Sequence, residues 1–286
     1  MKQRKQKCAK LWPFLTRGGV KAYLCARFRP LNRFDPAAIN DLQSLNLALD
    51  IGNTRTKIGL FQGNELAEQA IWTDWTLAEL LVFGNHAGVE RIIVSSVAEP
   101  DETLLDGLRE HFRVLELTHR TPLPFENRYE TPHTLGKDRL AGVAGAQVLY
   151  PQRNCLVVDC GTCVKYDMLT DSGIYQGGNI APGARMRLAA MHHFTARLPE
   201  AEMEMPADFT GRSTATALQN GALRGAVLEM EGFARLFEAR YGELYVILTG
   251  GDAAFFQPHL GIRNLIHTPG LTLFGLNHIL NFNHSV

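Results

Sequence analysis

Cysteine is scarce in this chain, with five residues among 286. That is too few to staple a fold of this size, and the expectation is a cytoplasmic protein held together by its hydrophobic core. No apolar run approaches the ~18–20 residues of a membrane-spanning helix. The N-terminal stretch Leu11–Leu15 is also shorter than the apolar centre of a secretory signal. Neither the phosphate loop G-x-x-x-x-G-K-[ST] nor the dinucleotide fingerprint G-x-G-x-x-G occurs. With 45% hydrophobic and 20% charged residues, wholesale disorder is excluded as well.

Net charge is zero, but two unlike segments average to it. Residues 1–44 hold ten Lys/Arg and two Asp/Glu, whereas residues 45–286 hold nineteen and twenty-seven. The mildly acidic body gives no electrostatic reason to expect a nucleic-acid partner. The basic segment shows no period of 2 or 3.6 and reads as a poorly ordered extension. It is a start assigned too far upstream, a targeting arm or a contact arm; the regular pattern begins at Leu45, which favours the first.

From Leu45 strands and turns alternate. Leu45–Ile51 and Thr56–Phe61 read as strands around Gly52-Asn53, with a third ending near Trp72. A helix over Leu77–Phe83, a strand over Arg91–Val97, a helix over 102–112 and a strand over Val114–Leu117 follow. After a Pro-rich loop, Asp138–Tyr150 reads as a helix. The opening scheme then recurs, with strands Cys155–Asp159, Val164–Leu169 and Ile174–Gly177. LALDIGNTRTKIGLF from Leu47 aligns with LVVDCGTCVKYDML from Leu156, a repeat of about 110 residues and too long for a solenoid. It predicts a duplicated α/β fold, with an extension over 1–44, one half over 45–154 and a second over 155–286.

Three turns carry candidate chemistry. In Asp50-Ile51-Gly52-Asn53-Thr54-Arg55-Thr56-Lys57, an acidic residue ends a buried strand and a glycine turn exposes backbone N–H groups able to hold phosphate oxygens. Asp50 is placed to hold Mg²⁺ or its waters. The ordinary alternative is a hairpin turn, which also favours Asn and Gly. Asp159-Cys160-Gly161-Thr162 repeats the layout, and Leu248-Thr249-Gly250-Gly251-Asp252 ends a further strand in a double glycine. A fourth segment, Gly136-Lys137-Asp138-Arg139, supplies a carboxylate that could take a proton from an acceptor hydroxyl. It also supplies basic groups for an anionic acceptor; its plain alternative is an acidic helix N-terminus.

The three turns in this order resemble the actin-like ATPase and sugar-kinase superfamily. Tyr129-Glu-Thr-Pro-His-Thr-Leu-Gly136-Lys137-Asp138-Arg139 resembles the type III pantothenate kinase segment Y-x-N-P-x-x-x-G-x-D-R, with Thr131 in place of Asn. Gly177-Gly178-Asn179-Ile180-Ala181-Pro182-Gly183, Thr195-Ala196-x-Leu198-Pro199, Ser213-Thr214 through Gly221 and Leu271–Leu276 match too. The resemblance spans residues 45–286. It implies duplicated ribonuclease-H-like domains with an interdomain nucleotide cleft, and ATP-dependent phosphorylation of pantothenate to 4'-phosphopantothenate, the first step of coenzyme A biosynthesis. It further implies Asp138 as proton acceptor and an acceptor site of Tyr129, Gly136, Lys137, Asp138, Arg139 and Thr214. ATP would contact residues 50–57 and Thr162, with Mg²⁺; Asp159 would hold a monovalent cation, K⁺ or NH₄⁺; and the protein would be a homodimer. One departure stands out: small and Thr residues usually follow D-x-G-T, whereas this chain has Cys163-Val164-Lys165. Lys165 either points away from the cleft on its strand or adds a charge near the phosphates.

Other signals carry less. Cys155, Cys160 and Cys163 have the spacing of an iron–sulfur run but lack a fourth cysteine after them. His192 and His193 are neighbours that point in different directions on a helix. The rival readings are a non-catalytic nucleotide-binding regulator and a kinase for another small hydroxylated acceptor; intact Asp50, Asp138, Arg139 and Asp159 argue against the first. The extension is expected to be dispensable. A chain beginning near Ser44 should keep its turnover and melting temperature within error, and loss of activity or of the dimer would make residues 1–44 part of the folded enzyme.

Overall fold

A computed structural model of the chain describes residues 45–52, 55–96 and 102–284. The basic extension, and Asn53 and Thr54 of the first turn, lie outside the described residues. The chain opens with β1 (Leu45–Ile51), β2 (Thr56–Gln62), β3 (Glu65–Trp72), α1 (Leu77–Ala87), β4 (Val89–Ser96), α2 (Glu102–Arg109) and β5 (Arg113–Glu116). It continues through β6 (Glu126–Asn127), α3 (Lys137–Leu149), β7 (Cys155–Cys160), β8 (Cys163–Leu169), β9 (Ile174–Pro182) and α4 (Ala184–His193). The remainder is α5 (Thr214–Gln219), α6 (Gly225–Tyr241), β10 (Tyr245–Thr249), α7 (Ala253–Phe256), β11 (Leu265–His267) and α8 (Leu271–Phe282). A π-helical turn over Asn220–Arg224 lies between α5 and α6.

The two sheets repeat one plan. The first has the order β3-β2-β1-β4-β5 and the second β11-β10-β7-β8-β9-β6. Read from β9, the second runs β9-β8-β7-β10-β11, strand for strand the first, with β6 added at its edge. In each, an antiparallel meander is followed by strands parallel to its first member. The central strands carry near-continuous apolar runs because both of their faces are covered. Leu47, Leu49, Ile92 and Val94 enter one core with Leu80 of α1 and with Leu105 and Leu108 of α2. Leu156, Val158, Tyr166, Val246 and Leu248 enter another with Leu223, Val227 and Met230. Helix α1 runs one turn beyond the Phe83 end read in the sequence, and is bounded by a Thr76–Glu79 capping box and a left-handed Gly88.

Several boundaries differ from those read in the sequence. β9 continues to Pro182 instead of ending at Gly177, because pairing with β8 persists as far as Cys163↔Pro182. β6 and β11, of two and three residues, are too short to show a period. The expected division at 154/155 also differs from the compact units. One unit holds the described residues up to Pro122 with Gly136–Asp138 and the chain from Thr272; the other holds Leu123–Leu135 and Arg139–Leu271. The difference arises because α8, last in sequence, completes the first unit. Phe274 meets Phe61 edge-on with ring centroids 5.5 Å apart. The fully buried Asn46 donates to Asn277 at 2.7 Å and to Asn281 at 2.8 Å. A strand asparagine with its amide in the core needs such partners, and α8 supplies them.

Candidate active site

In an antiparallel pair, residues directly opposite present their side chains on one face, with Cβ atoms about 4.5–5.5 Å apart. The β1–β2 register sets Asp50 opposite Lys57, and the β7–β8 register sets Asp159 opposite Lys165. Both become ion pairs, but unequal ones. Lys57 Nζ lies 3.5 Å from Asp50 Oδ2, with the lysine 44% exposed. Lys165 Nζ lies 2.6 Å from Asp159 Oδ2, with the two side chains only 17% and 20% exposed.

In the first unit the turn after Asp50 is closed by Gly52 N–H donating to the Arg55 carbonyl at 3.0 Å. Arg55 is exposed and Ile51 half-buried. Thr56 is buried, and its hydroxyl accepts from Trp75 Nε1 at 2.8 Å, so that hydroxyl anchors the hairpin. From α8, Thr272 Oγ1 donates to Asp50 Oδ2 at 3.4 Å. Lys137, at the start of α3, sits 3.8 Å from Glu116. Asp138, next in that first helical turn, is half-buried, as is Gly136 before it.

In the second unit three glycine-bearing turns meet around Asp159. The turn after it is closed by Gly161 N–H donating to Cys163 O at 3.1 Å, and Thr162 leaves its side chain exposed. Gly183, at the N-terminus of α4, donates to Thr162 O at 3.0 Å. A β-carbon on Gly183 would run into the carbonyls of Gly161 and Thr162. Gly250 has φ 96°, and a β-carbon there would strike the Cys160 carbonyl and the Asp159 carboxylate. The third turn is pinned as well by Asp252 N–H donating to Cys160 O at 2.9 Å. Glycine at both positions is therefore a packing requirement of the Asp159 turn.

A second cluster of this unit gathers around Arg139. Its Nε and Nη2 lie 2.8 and 2.7 Å from Asp167 Oδ1, and the two side chains are 4% and 2% exposed. Tyr175 donates to the same oxygen at 2.7 Å. Tyr129 stacks on Tyr175 with ring planes 12° apart, lies under the Arg139 guanidinium and has its hydroxyl 3.5 Å from Nη1. Burial works against the Arg139 charge, yet the hydrogen bond and charge of Asp167 outweigh it and hold its pKa above the ordinary arginine value. Burial, reinforced by Asp167, raises Tyr175, so its hydroxyl stays a donor. Thr214 stands exposed at the first position of α5, which Ser213 caps.

Of this cluster, sequence reading singled out Tyr129 and Arg139 but not Asp167 and Tyr175. Their signal was an acidic residue inside the otherwise apolar end of β8, together with an aromatic residue on the next strand. Burial pushes the Cys155 thiol up to about 12, and burial followed by Asp159 and Asp252 raises Cys160 too. Thiols held protonated in this way are poor cluster ligands.

A family model described as type III pantothenate kinase matches residues 46–236. The chain belongs to the type III pantothenate kinase family. It is 41% identical over 241 residues to the type III pantothenate kinase of Phocaeicola vulgatus, a match covering 84% of this chain and 99% of that protein. With the type III pantothenate kinase of Christiangramia forsetii it shares 36% identity at the same coverage. Among solved structures it resembles a Campylobacter jejuni protein described as a conserved Baf family transcriptional activator, at 22% identity and TM-score 0.56, covering 84% of this chain and 100% of that one. That last likeness speaks for the fold alone.

The monovalent cation implied at Asp159 does not fit the residues present. A cation there needs the carboxylate, yet Oδ2 holds the Lys165 ammonium at 2.6 Å and the carboxylate packs against Gly250. The Arg139–Asp167 pair has a measurable consequence for stability. Asp167→Asn leaves a buried guanidinium without its counter-charge and should cost on the order of 3–5 kcal/mol in urea unfolding. The double variant Arg139→Met/Asp167→Leu should lose less than that single change, and an equal or larger loss would refute the charge argument.

Proposed function

We propose a residue-level mechanism for the type III pantothenate kinase activity that family membership assigns to this chain, the ATP-dependent phosphorylation of pantothenate in coenzyme A biosynthesis. The observation that carries it is the coincidence of the family match with the twice-built Asp-x-Gly hairpin and its opposed lysine. Phosphoryl transfer asks little covalent chemistry of a protein, so positioning and charge neutralisation dominate. The primary hydroxyl of pantothenate attacks the γ-phosphorus of ATP. The bond from phosphorus to the β,γ-bridging oxygen breaks, ADP leaves with the electron pair, and Asp138 takes the hydroxyl proton.

ATP is contacted by residues 50–57, through the Gly52 turn and the half-exposed Lys57 ammonium, and by Thr162. Asp50 suits Mg²⁺ held through water, since it lies next to last in β1 and its contacts to Lys57 and Thr272 are long, at 3.5 and 3.4 Å. Mg²⁺, when bound, neutralises charge on the β- and γ-phosphate oxygens. Pantothenate is held by Tyr129, Gly136, Lys137, Asp138, Arg139 and Thr214, with Lys137 and Arg139 serving its carboxylate. Asp167 fixes the guanidinium so that Arg139 meets the acceptor through the Nη1 edge beside the Tyr129 hydroxyl. A working place in the cytoplasm suits an ATP-consuming enzyme of this kind.

The protein works as a homodimer in this reading. Gly221 of the π-helical turn and Gly225, Leu228, Gly232 and Leu236 of α6 form a stripe that suits close helix packing. Leu228 is 60% and Leu236 68% exposed, and a β-carbon on any of the three glycines would meet nothing within 4 Å. Leu228→Asp/Leu236→Asp should convert dimer to monomer in sedimentation, and an undisturbed dimer would rule out this face.

Asp138→Asn tests the chemistry. Coupled ADP release in the presence of pantothenate should fall by at least ~10²-fold, the usual scale for loss of a general base, while ATP binding by calorimetry survives. Near-normal turnover in a folded variant would remove Asp138 from the mechanism.

A further inference from the structure

We propose that the Lys165 ammonium is itself the monovalent cation of the Asp159 site, so that this kinase works without exchangeable K⁺ or NH₄⁺. The inference rests on the kinase reading above and departs from the family pattern in one respect, the cofactor.

The geometry is specific. Lys165 reaches Asp159 because the β7–β8 register places the two directly opposite. At 2.6 Å the contact has the short distance of a charge-assisted hydrogen bond. Both side chains are largely withdrawn from solvent, where salt and water screen least. The carboxylate is positioned from its other side too, because Gly250 packs against it so closely that no β-carbon fits. An ion at Oδ2 would have to displace the ammonium. A tethered ammonium also outcompetes a free ion, since its strand already holds it at the site and no translational freedom is lost on each encounter.

The repeat supports the same conclusion. Lys57 and Lys165 are equivalent positions of the two hairpins, each opposite the aspartate next to last in the preceding strand. The chain therefore builds one Asp–Lys device twice and closes it more tightly the second time, 2.6 Å against 3.5 Å. An ammonium carries the charge of K⁺ and offers three N–H donors to oxygen acceptors. It can thus neutralise Asp159 beside the phosphate-binding turn as a bound ion would.

The test measures pantothenate-dependent ADP release by the full-length protein with Mg²⁺ and ATP. The assay is run in K⁺, NH₄⁺, Na⁺ and, as an oversized cation of equal ionic strength, tetramethylammonium. Native rates should agree within about twofold, and the native melting temperature should be the same in K⁺ and tetramethylammonium. Lys165→Ala should lose activity in tetramethylammonium and regain at least about tenfold in K⁺ or NH₄⁺, with K⁺ raising its melting temperature as a ligand of the folded state does. Activation of the native enzyme by about tenfold or more in K⁺ would overturn the proposal. So would a folded Lys165→Ala that K⁺ neither rescues nor stabilises. If that variant does not fold, the native cation profile decides alone. Absence of pantothenate-dependent ADP release in every cation would instead refute the kinase reading, and the melting-temperature comparison would still judge the cation.

Discussion

Each unit depends on the register between its first two strands. A one-residue slip in β1–β2 or β7–β8 would turn every side chain to the opposite face and expose the core positions. Burial therefore enforces the pairing: Leu47, Leu49 and Ile58 on one side, and Leu156, Val158 and Tyr166 on the other, have no alternative register that keeps them from water. The Asp–Lys pairs are a consequence of that enforcement. Their placement is set by the hydrophobic residues around them, and the chemistry inherits the precision of the core.

The same logic extends to the turns. Gly183 and Gly250 permit backbone to approach backbone around Asp159, so the loop that carries Thr162 is braced by the start of α4 and by the end of β10. Backbone bracing suits phosphate chemistry, where donors must point before the ligand arrives. The Arg139–Asp167–Tyr175 cluster is braced similarly, by side chains instead of backbone. Its charges are buried and paired, so the guanidinium and the Tyr129 ring beneath it hold one orientation. Buried pairs contribute little net stability compared with well-packed apolar groups, which is a reason to read this one as a device for orientation.

Duplication explains why the two Asp-x-Gly turns could be read as equivalent in the sequence. The strand orders agree from β3 to β5 and from β9 to β11, and the motif turns fall at equivalent places in each. Divergence is then informative. The first hairpin keeps a long, half-exposed Asp–Lys contact, whereas the second draws it in and shortens it. Two copies of one local pattern have acquired different electrostatic surroundings without changing the backbone plan that produces them.

The sequence by itself determined the repeat, the strands and helices of the motifs, the three glycine turns and the Gly136–Arg139 segment. These are local or periodic: alternation, caps and turn residues act over a few positions and can be read in one dimension. Tertiary structure alone decided what lies far apart in the chain. That Thr56 turns its hydroxyl to Trp75, that Asp167 and Tyr175 hold Arg139, and that α8 closes the first unit through Asn277 and Phe274 are matters of long-range packing. Lys165 stood between the two cases. Its position on a strand was legible, but whether it turned toward Asp159 or away depended on the exact pairing of β7 with β8, because a side chain's face changes with every single-residue shift of register.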